Sequence, residues 1–211
     1  MINLVHGIRG QGEDSIDKLI PALHAVRLIT RDINYPKISA TAFALTPRKW
    51  NRERQFRDGQ IVVDATEDGE DIIAHSRGCL VATRAMEIGR KFRCAFFFAP
   101  AMNADFFFPE GAVEYVWIIY CPNDAVIKLA GLIPWNDGGS MGRIGYNGPA
   151  HPSLAELQVE AETPAHSHYF FFPHLEGWSY FIADRIVDPA GVMANEKKQF
   201  KPLVPSQAHL S

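Results

Sequence analysis

Ser76 stands in the surroundings that most resemble a reactive centre. It lies in Ala74-His75-Ser76-Arg77-Gly78, between a short apolar run over 71–74 that reads as a buried strand and a stretch over 77–89 that reads as a helix. A strand passing into a helix with no loop to spare holds its central residue on a strained elbow. The hydroxyl then stands at the carboxyl edge of the sheet. Small residues must flank such an elbow, because strand and helix backbones nearly touch there. The usual form is Gly-x-Ser-x-Gly; Ala74 replaces the first glycine and still fits a close contact. Taken alone, Ser-x-Gly at such a junction also serves as ordinary turn chemistry.

A serine hydroxyl is a weak nucleophile until an imidazole accepts its proton, and the imidazole needs a carboxylate on its other nitrogen to fix tautomer and orientation. Both residue types follow Ser76. Asn123-Asp124 ends a later strand, and His166-Ser167-His168-Tyr169-Phe170 comes after it. Asp124 would equally cap a helix starting at Ala125. His75, beside the serine, is expected to point away from it and to pack or hydrogen-bond.

These residues need a scaffold of alternating strands and helices. Residues 2–5 form an apolar strand ending in Val5-His6-Gly7, and glycines at 7, 10 and 12 allow a tight turn with exposed amides. Ile16, Leu19, Ile20 and Leu23 recur at helical spacing up to about His24. A second strand is expected over 26–30. Residues 38–60 read as largely helical but interrupted, and 61–64 as either a strand or that helix's end. After the elbow helix, 94–99 is a wholly apolar run suited to an interior parallel strand. The β-branched and aromatic run over 113–121 is another. A short helix over 125–130, a Gly-rich loop over 136–145, a strand over 154–162 and a closing helix over 175–187 complete the order. Alternation of this kind predicts a mostly parallel sheet with right-handed crossovers.

At 211 residues the chain suits one domain, here 1–187, with 188–211 read as a loosely held C-terminal tail. Hydrophobic residues at 47% and charged residues at 21% are ordinary globular values. A net charge of −3 offers no attraction to nucleic acid or an anionic membrane. The basic cluster over 48–54 reads as a solvated helix face or a binding patch. The chain opens in a strand with no charged leader, and no segment reaches the roughly 20 apolar residues of a spanning helix. Cys79, Cys94 and Cys121, an odd number in apolar runs, read as buried thiols of a reduced compartment. The expectation is a soluble cytoplasmic protein.

Val5-His6-Gly7, Ala74-His75-Ser76-Arg77-Gly78, Asn123-Asp124 and His166-Ser167, in this order, resemble the α/β-hydrolases, and the resemblance spans most of the chain. It implies an α/β fold with a mostly parallel central sheet, helices on both faces, and the first hairpin of the full fold missing. It further implies Ser76 as nucleophile, His166 as general base and Asp124 as orienting acid, with His168 as runner-up base. The oxyanion hole would use the backbone N–H groups of Arg77 and Ile8, with His6 bracing the loop. Phe106, Phe107, Trp135 and Met141 would line an apolar acyl pocket, or else be plain core. The implied activity is cleavage of a carboxylic ester or thioester, lipase-like or thioesterase-like, on a small-molecule substrate without a cofactor. The rival is a non-catalytic binding module on the same fold. A metal site of His151, His166, His168 and His174 is disfavoured, since their spacing matches no helical ligand pair.

Overall fold

The computed structural model describes residues 1–7, 16–36, 46–130, 139–159, 166, 168–170 and 174–199. Six strands form one sheet: β1 (Ile2–Val5), β2 (Thr30–Ile33), β3 (Glu70–His75), β4 (Phe92–Phe98), β5 (Val113–Tyr120) and β6 (Leu154–Gln158). Their order is β2-β1-β3-β4-β5-β6, and every neighbouring pair is parallel. The helices are α1 (Leu19–Ala25), α2 (Arg48–Ala65), α3 (Arg77–Ile88), α4 (Ala125–Ala130), α5 (Met141–Ile144), α6 (His174–Val187) and α7 (Pro189–Gln199). None of them is long and apolar enough to cross a membrane.

Both faces of the sheet are covered, and strand alternation divides the core accordingly. Phe97, Ile72 and Ile118 face one cluster, with Val62 of α2 and Leu80, Val81 and Ala85 of α3. Phe96, Phe98, Ile73 and Trp117 face the other, with Leu19 and Leu23 of α1 and Ile182 of α6. Phe92 and the run from Cys94 to Phe98 are buried, as an interior parallel strand requires.

Several boundaries differ from the sequence reading. The second strand starts only at Thr30: α1 runs to Ala25, and Arg27 takes a left-handed φ of 64° that turns the chain before pairing begins. Residues 61–64 are the end of α2, an unbroken helix from Arg48 that follows Pro47 directly. Pro47 stands directly before this helix, where the sequence placed the break, since its ring fixes φ and removes the donor a helix interior needs; the helical piece expected before it, over 38–45, lies outside the described residues. Residues 141–144 of the Gly-rich loop form α5. The last strand stops at Gln158.

The largest difference is at the end. Residues from 188 were read as a loose tail, but α7 spans Pro189–Gln199. Its Met193 is 3% exposed, packed in the second core cluster. Its Glu196 accepts a hydrogen bond from the indole N–H of the buried Trp117 at 2.9 Å and pairs with Arg185.

Candidate active site

Ser76 joins β3 to α3 with φ 56° and ψ −124°. A left-handed φ at a non-glycine residue costs energy and persists only where neighbours dictate it. Here they do. The Ser76 N–H donates to the Phe98 carbonyl at 2.9 Å, and its own carbonyl accepts from Cys79 N at 3.1 Å and Ala101 N at 3.2 Å. The glycine after the elbow is required by proximity: a Cβ on Gly78 would lie 2.3 Å from the Val5 carbonyl oxygen and 2.4 Å from that of His6. The position before it is less demanding. Ala74 is fully buried with its methyl group in the core, so the departure from glycine is accommodated.

Asp124 follows β5, and its carboxylate is 1% exposed. One oxygen accepts from the Ile127 N–H at 2.9 Å, and the other lies 2.7 Å from His166 Nδ1. Asp124 therefore caps α4 and at the same time faces the His166 imidazole. A carboxylate on Nδ1 favours the tautomer protonated there, leaving a lone pair on Nε2. That Nε2 is buried and has no hydrogen-bond partner among the described residues. No hydrogen bond joins it to the Ser76 hydroxyl. The backbone of His168 lies in a short 3₁₀ turn, His168–Phe170, but its side chain falls outside the described residues.

His75 packs and hydrogen-bonds, and its partner is His166. Its ring lies 4.8 Å from that of His166, centroid to centroid, and its Nε2 sits 3.2 Å from the His166 carbonyl oxygen, to which it can donate. Burial, and secondarily the neighbouring His166, hold the His75 pKa well below its ordinary value. The neutral form of His75 is thereby favoured.

The N–H of Arg77 belongs to the first turn of α3, where amides have no intrahelical acceptor. Ile8, the other expected oxyanion donor, lies outside the described residues. The Arg77 side chain, about which the sequence was silent, is buried under the elbow. It donates to Asp58 of α2 at 2.5 Å, and its guanidinium stands 5.8 Å from the centre of the Tyr35 ring. The Tyr35 hydroxyl in turn donates to the His6 carbonyl. Desolvation by burial, opposed by Arg77, raises the Tyr35 pKa, so the hydroxyl remains a donor. Elbow, α2 and the end of β1 are thus tied by one polar chain. No local pattern could announce it, since Asp58 and Arg77 meet only once α2 packs on α3.

His6 is 3% exposed and held by carboxylates: Nε2 lies 2.5 Å from Asp32 and 2.9 Å from Asp17, while the loop it was expected to brace lies outside the described residues. Among the described residues, these three are the group whose ligand atoms lie close enough together for a metal ion. Of the histidines first considered for that role, His166 faces Asp124 and His151 packs against the ring of Phe108.

Phe106 and Phe107 line a cavity of 370 Å³ together with Leu80, Pro109, Arg52 and Arg84, so its lining is not wholly apolar. Met141 lies elsewhere; it is fully buried in the core, its N–H bonded to the Met102 carbonyl. Trp135 lies outside the described residues.

No protein-family model matches the chain, and no curated protein matches its sequence. Among solved structures, a proposed hydrolase of the alpha/beta superfamily from Xanthomonas campestris pv. campestris is similar. It is 16% identical with a TM-score of 0.46, over 87% of this chain and 98% of that one. In its own topology, the parallel sheet ordered β2-β1-β3-β4-β5-β6, with helices on both faces and a serine elbow between β3 and α3, has the α/β-hydrolase fold.

Proposed function

We propose that this protein is a serine hydrolase that cleaves a carboxylic ester or thioester of a small molecule through an acyl-enzyme. The observation that carries the reading is His166, whose Nδ1 lies 2.7 Å from the Asp124 carboxylate, in a chain whose Ser76 stands on a strand-to-helix elbow. A carboxylate on Nδ1 leaves the Nε2 lone pair as the acceptor that a general base needs. In the proposed step, Ser76 Oγ attacks the acyl carbon as Nε2 takes the hydroxyl proton. The tetrahedral oxyanion collapses, expelling the alcohol or thiol, which leaves with the proton returned by His166. Water then repeats the sequence and frees the acid. Asp124 offsets the imidazolium charge, and the Arg77 N–H supports the oxyanion. The three buried thiols, Cys79, Cys94 and Cys121, fit the cytoplasmic setting we propose.

The absence of a hydrogen bond between Ser76 and His166 favours one rival, a binding module that keeps the fold without the catalysis. Catalytic hydrogen bonds often tighten only with substrate bound, which is why the hydrolase reading is preferred. Labelling with a fluorophosphonate decides between them. Labelling is expected in the native protein and in His168→Ala, and lost in Ser76→Ala and His166→Ala. A folded native protein that takes no label overturns the proposal in favour of the module. Activity that falls with a chelator would redirect attention to the His6 cluster.

A further inference from the structure

We infer that the cavity beside α3 receives an acyl group carrying a carboxylate remote from the scissile carbonyl, with Arg52 as the cation that recognises it. The inference rests on Ser76 as the nucleophile. Leu80, Arg84 and Glu87 line the cavity, and at intervals of four and three residues they share one stripe of α3, the helix that starts directly after Ser76. By helical rise, Leu80 lies about 6 Å and Arg84 about 12 Å from Ser76 along the axis. The facing wall, from Asn103 to Pro109, leaves the sheet just after Ala101, whose N–H is bonded to the Ser76 carbonyl. Both walls are therefore tied to the serine through the chain, one by α3 following it and the other by the Ala101 hydrogen bond.

The character of the lining changes along this path. Leu80, Phe106 and Phe107 offer an apolar surface, and Phe107 is 63% exposed although the core has no use for it in that state. Beyond them stand two guanidinium groups with different histories. Arg84 is compensated: it pairs with Glu87 at 2.5 Å, donates to Gln55 at 3.3 Å, and lies 5.1 Å from the centre of the Phe56 ring. Glu87, the one carboxylate lining the cavity, is neutralised by that pairing. Arg52 is exposed, stands 5.9 Å from the same ring, and has no carboxylate partner among the described residues. One uncompensated cation at the end of an apolar wall suits an apolar chain ending in a carboxylate. It gives a neutral acyl chain of the same length nothing to pair with.

The test is a ratio: kcat/KM for mono-p-nitrophenyl suberate over that for p-nitrophenyl octanoate, chains of equal length that differ in the terminal carboxylate. Arg52→Gln is expected to lower this ratio about tenfold, the worth of one charge-assisted hydrogen bond. Arg52→Lys should restore most of it, and Arg57→Gln, the same charge change elsewhere on α2, should leave it unmoved. A ratio unchanged by Arg52→Gln, or lowered equally by Arg57→Gln, overturns the inference. Calorimetric titration with free suberate separates this idea from the activity it rests on. Binding that Arg52→Gln abolishes supports the pocket even in a protein that hydrolyses neither ester. No heat of binding in the native protein overturns it.

Discussion

Ser76 and His166 would act on the same bond, yet the molecule holds them by different means. Ser76 is fixed by the backbone: three main-chain hydrogen bonds and the contact of Gly78 with the ends of Val5 and His6 leave it no freedom. His166 is fixed mainly through side chains, by the Asp124 carboxylate on one nitrogen and the His75 ring against its face and carbonyl. A backbone-held corner is inseparable from the fold. A side-chain-held corner can be loosened while the fold survives. Substitutions around the serine should therefore be read first in stability, and those around the histidine first in rate.

Asp124→Asn should show the largest effect, and it should be kinetic. An amide in place of the carboxylate favours the wrong imidazole tautomer, for which a loss of about 10⁴ in kcat is expected. The asparagine oxygen still accepts from Ile127, so the urea midpoint should barely move. Asp124→Ala would add about 1 kcal/mol of destabilisation by removing the cap as well. If Asp124→Asn unfolds the protein instead, the division between the two corners is wrong.

Gly78→Ala is the mirror case. A methyl group 2.3 Å from a carbonyl oxygen cannot be relieved by a side-chain rotation, because both Val5 and His6 meet it with backbone. The expected cost is about 3 kcal/mol or more, read by urea denaturation, with whatever folds retaining its label.

This asymmetry also governs what could be read from sequence. Backbone-held features leave compositional traces: Ser76 and Gly78 announce an elbow because few residues tolerate that geometry, and 94–99 announces an interior strand by being wholly apolar. Asp124 was legible by its place after a strand, though not which of its two duties it performs. Side-chain contacts between distant segments leave no such trace. His75 was expected to pack or hydrogen-bond, but its partner His166, far along the chain, could not be read from the sequence. Arg77 with Asp58, and the lone cation at Arg52, arise only from how α2 packs against α3. The helix over 189–199 was missed for a related reason. It has no strong apolar stripe, and its order rests on Met193 and Glu196 meeting β5 and α6.

His75→Phe sharpens the comparison from the side of the base. The phenyl ring keeps the packing but cannot donate to the His166 carbonyl, so kcat should fall about tenfold while labelling persists. The pH dependence of stability gives a separate signature. Burial holds the folded-state pKa of His75 below the 6.5 of the free imidazole. As pH falls through that value the unfolded chain binds a proton that the folded one refuses, so stability drops, down to the folded pKa. Above it the effect disappears. The drop is bounded at about 1.4 kcal/mol per pH unit. Between pH 7 and 5 the urea midpoint of the native protein should therefore fall further than that of His75→Phe. Parallel curves would mean that His75 is charged or exposed in solution, and the neutral brace would be lost with it.

Glu196→Ala should have the smallest effect, and it should touch only stability. Glu196 is the far end of a side-chain anchor like that of His166, but it sits on the opposite face of the sheet from α3 and serves Trp117 and Arg185. Truncation leaves the indole N–H of a residue 1% exposed without its acceptor, and Arg185 without its main carboxylate. Water can reach the half-buried carboxylate position, which limits the penalty to about 1 kcal/mol. For a chain of this size that corresponds to a fall of about 3 °C in Tm. Ester hydrolysis and labelling at a temperature well below the midpoint should match the native protein. A loss of activity larger than the loss of stability would show that α7 acts on the site through β5, whose end carries Asp124. The sheet would then transmit side-chain anchoring as effectively as it transmits backbone pairing, and the contrast between the two corners would narrow.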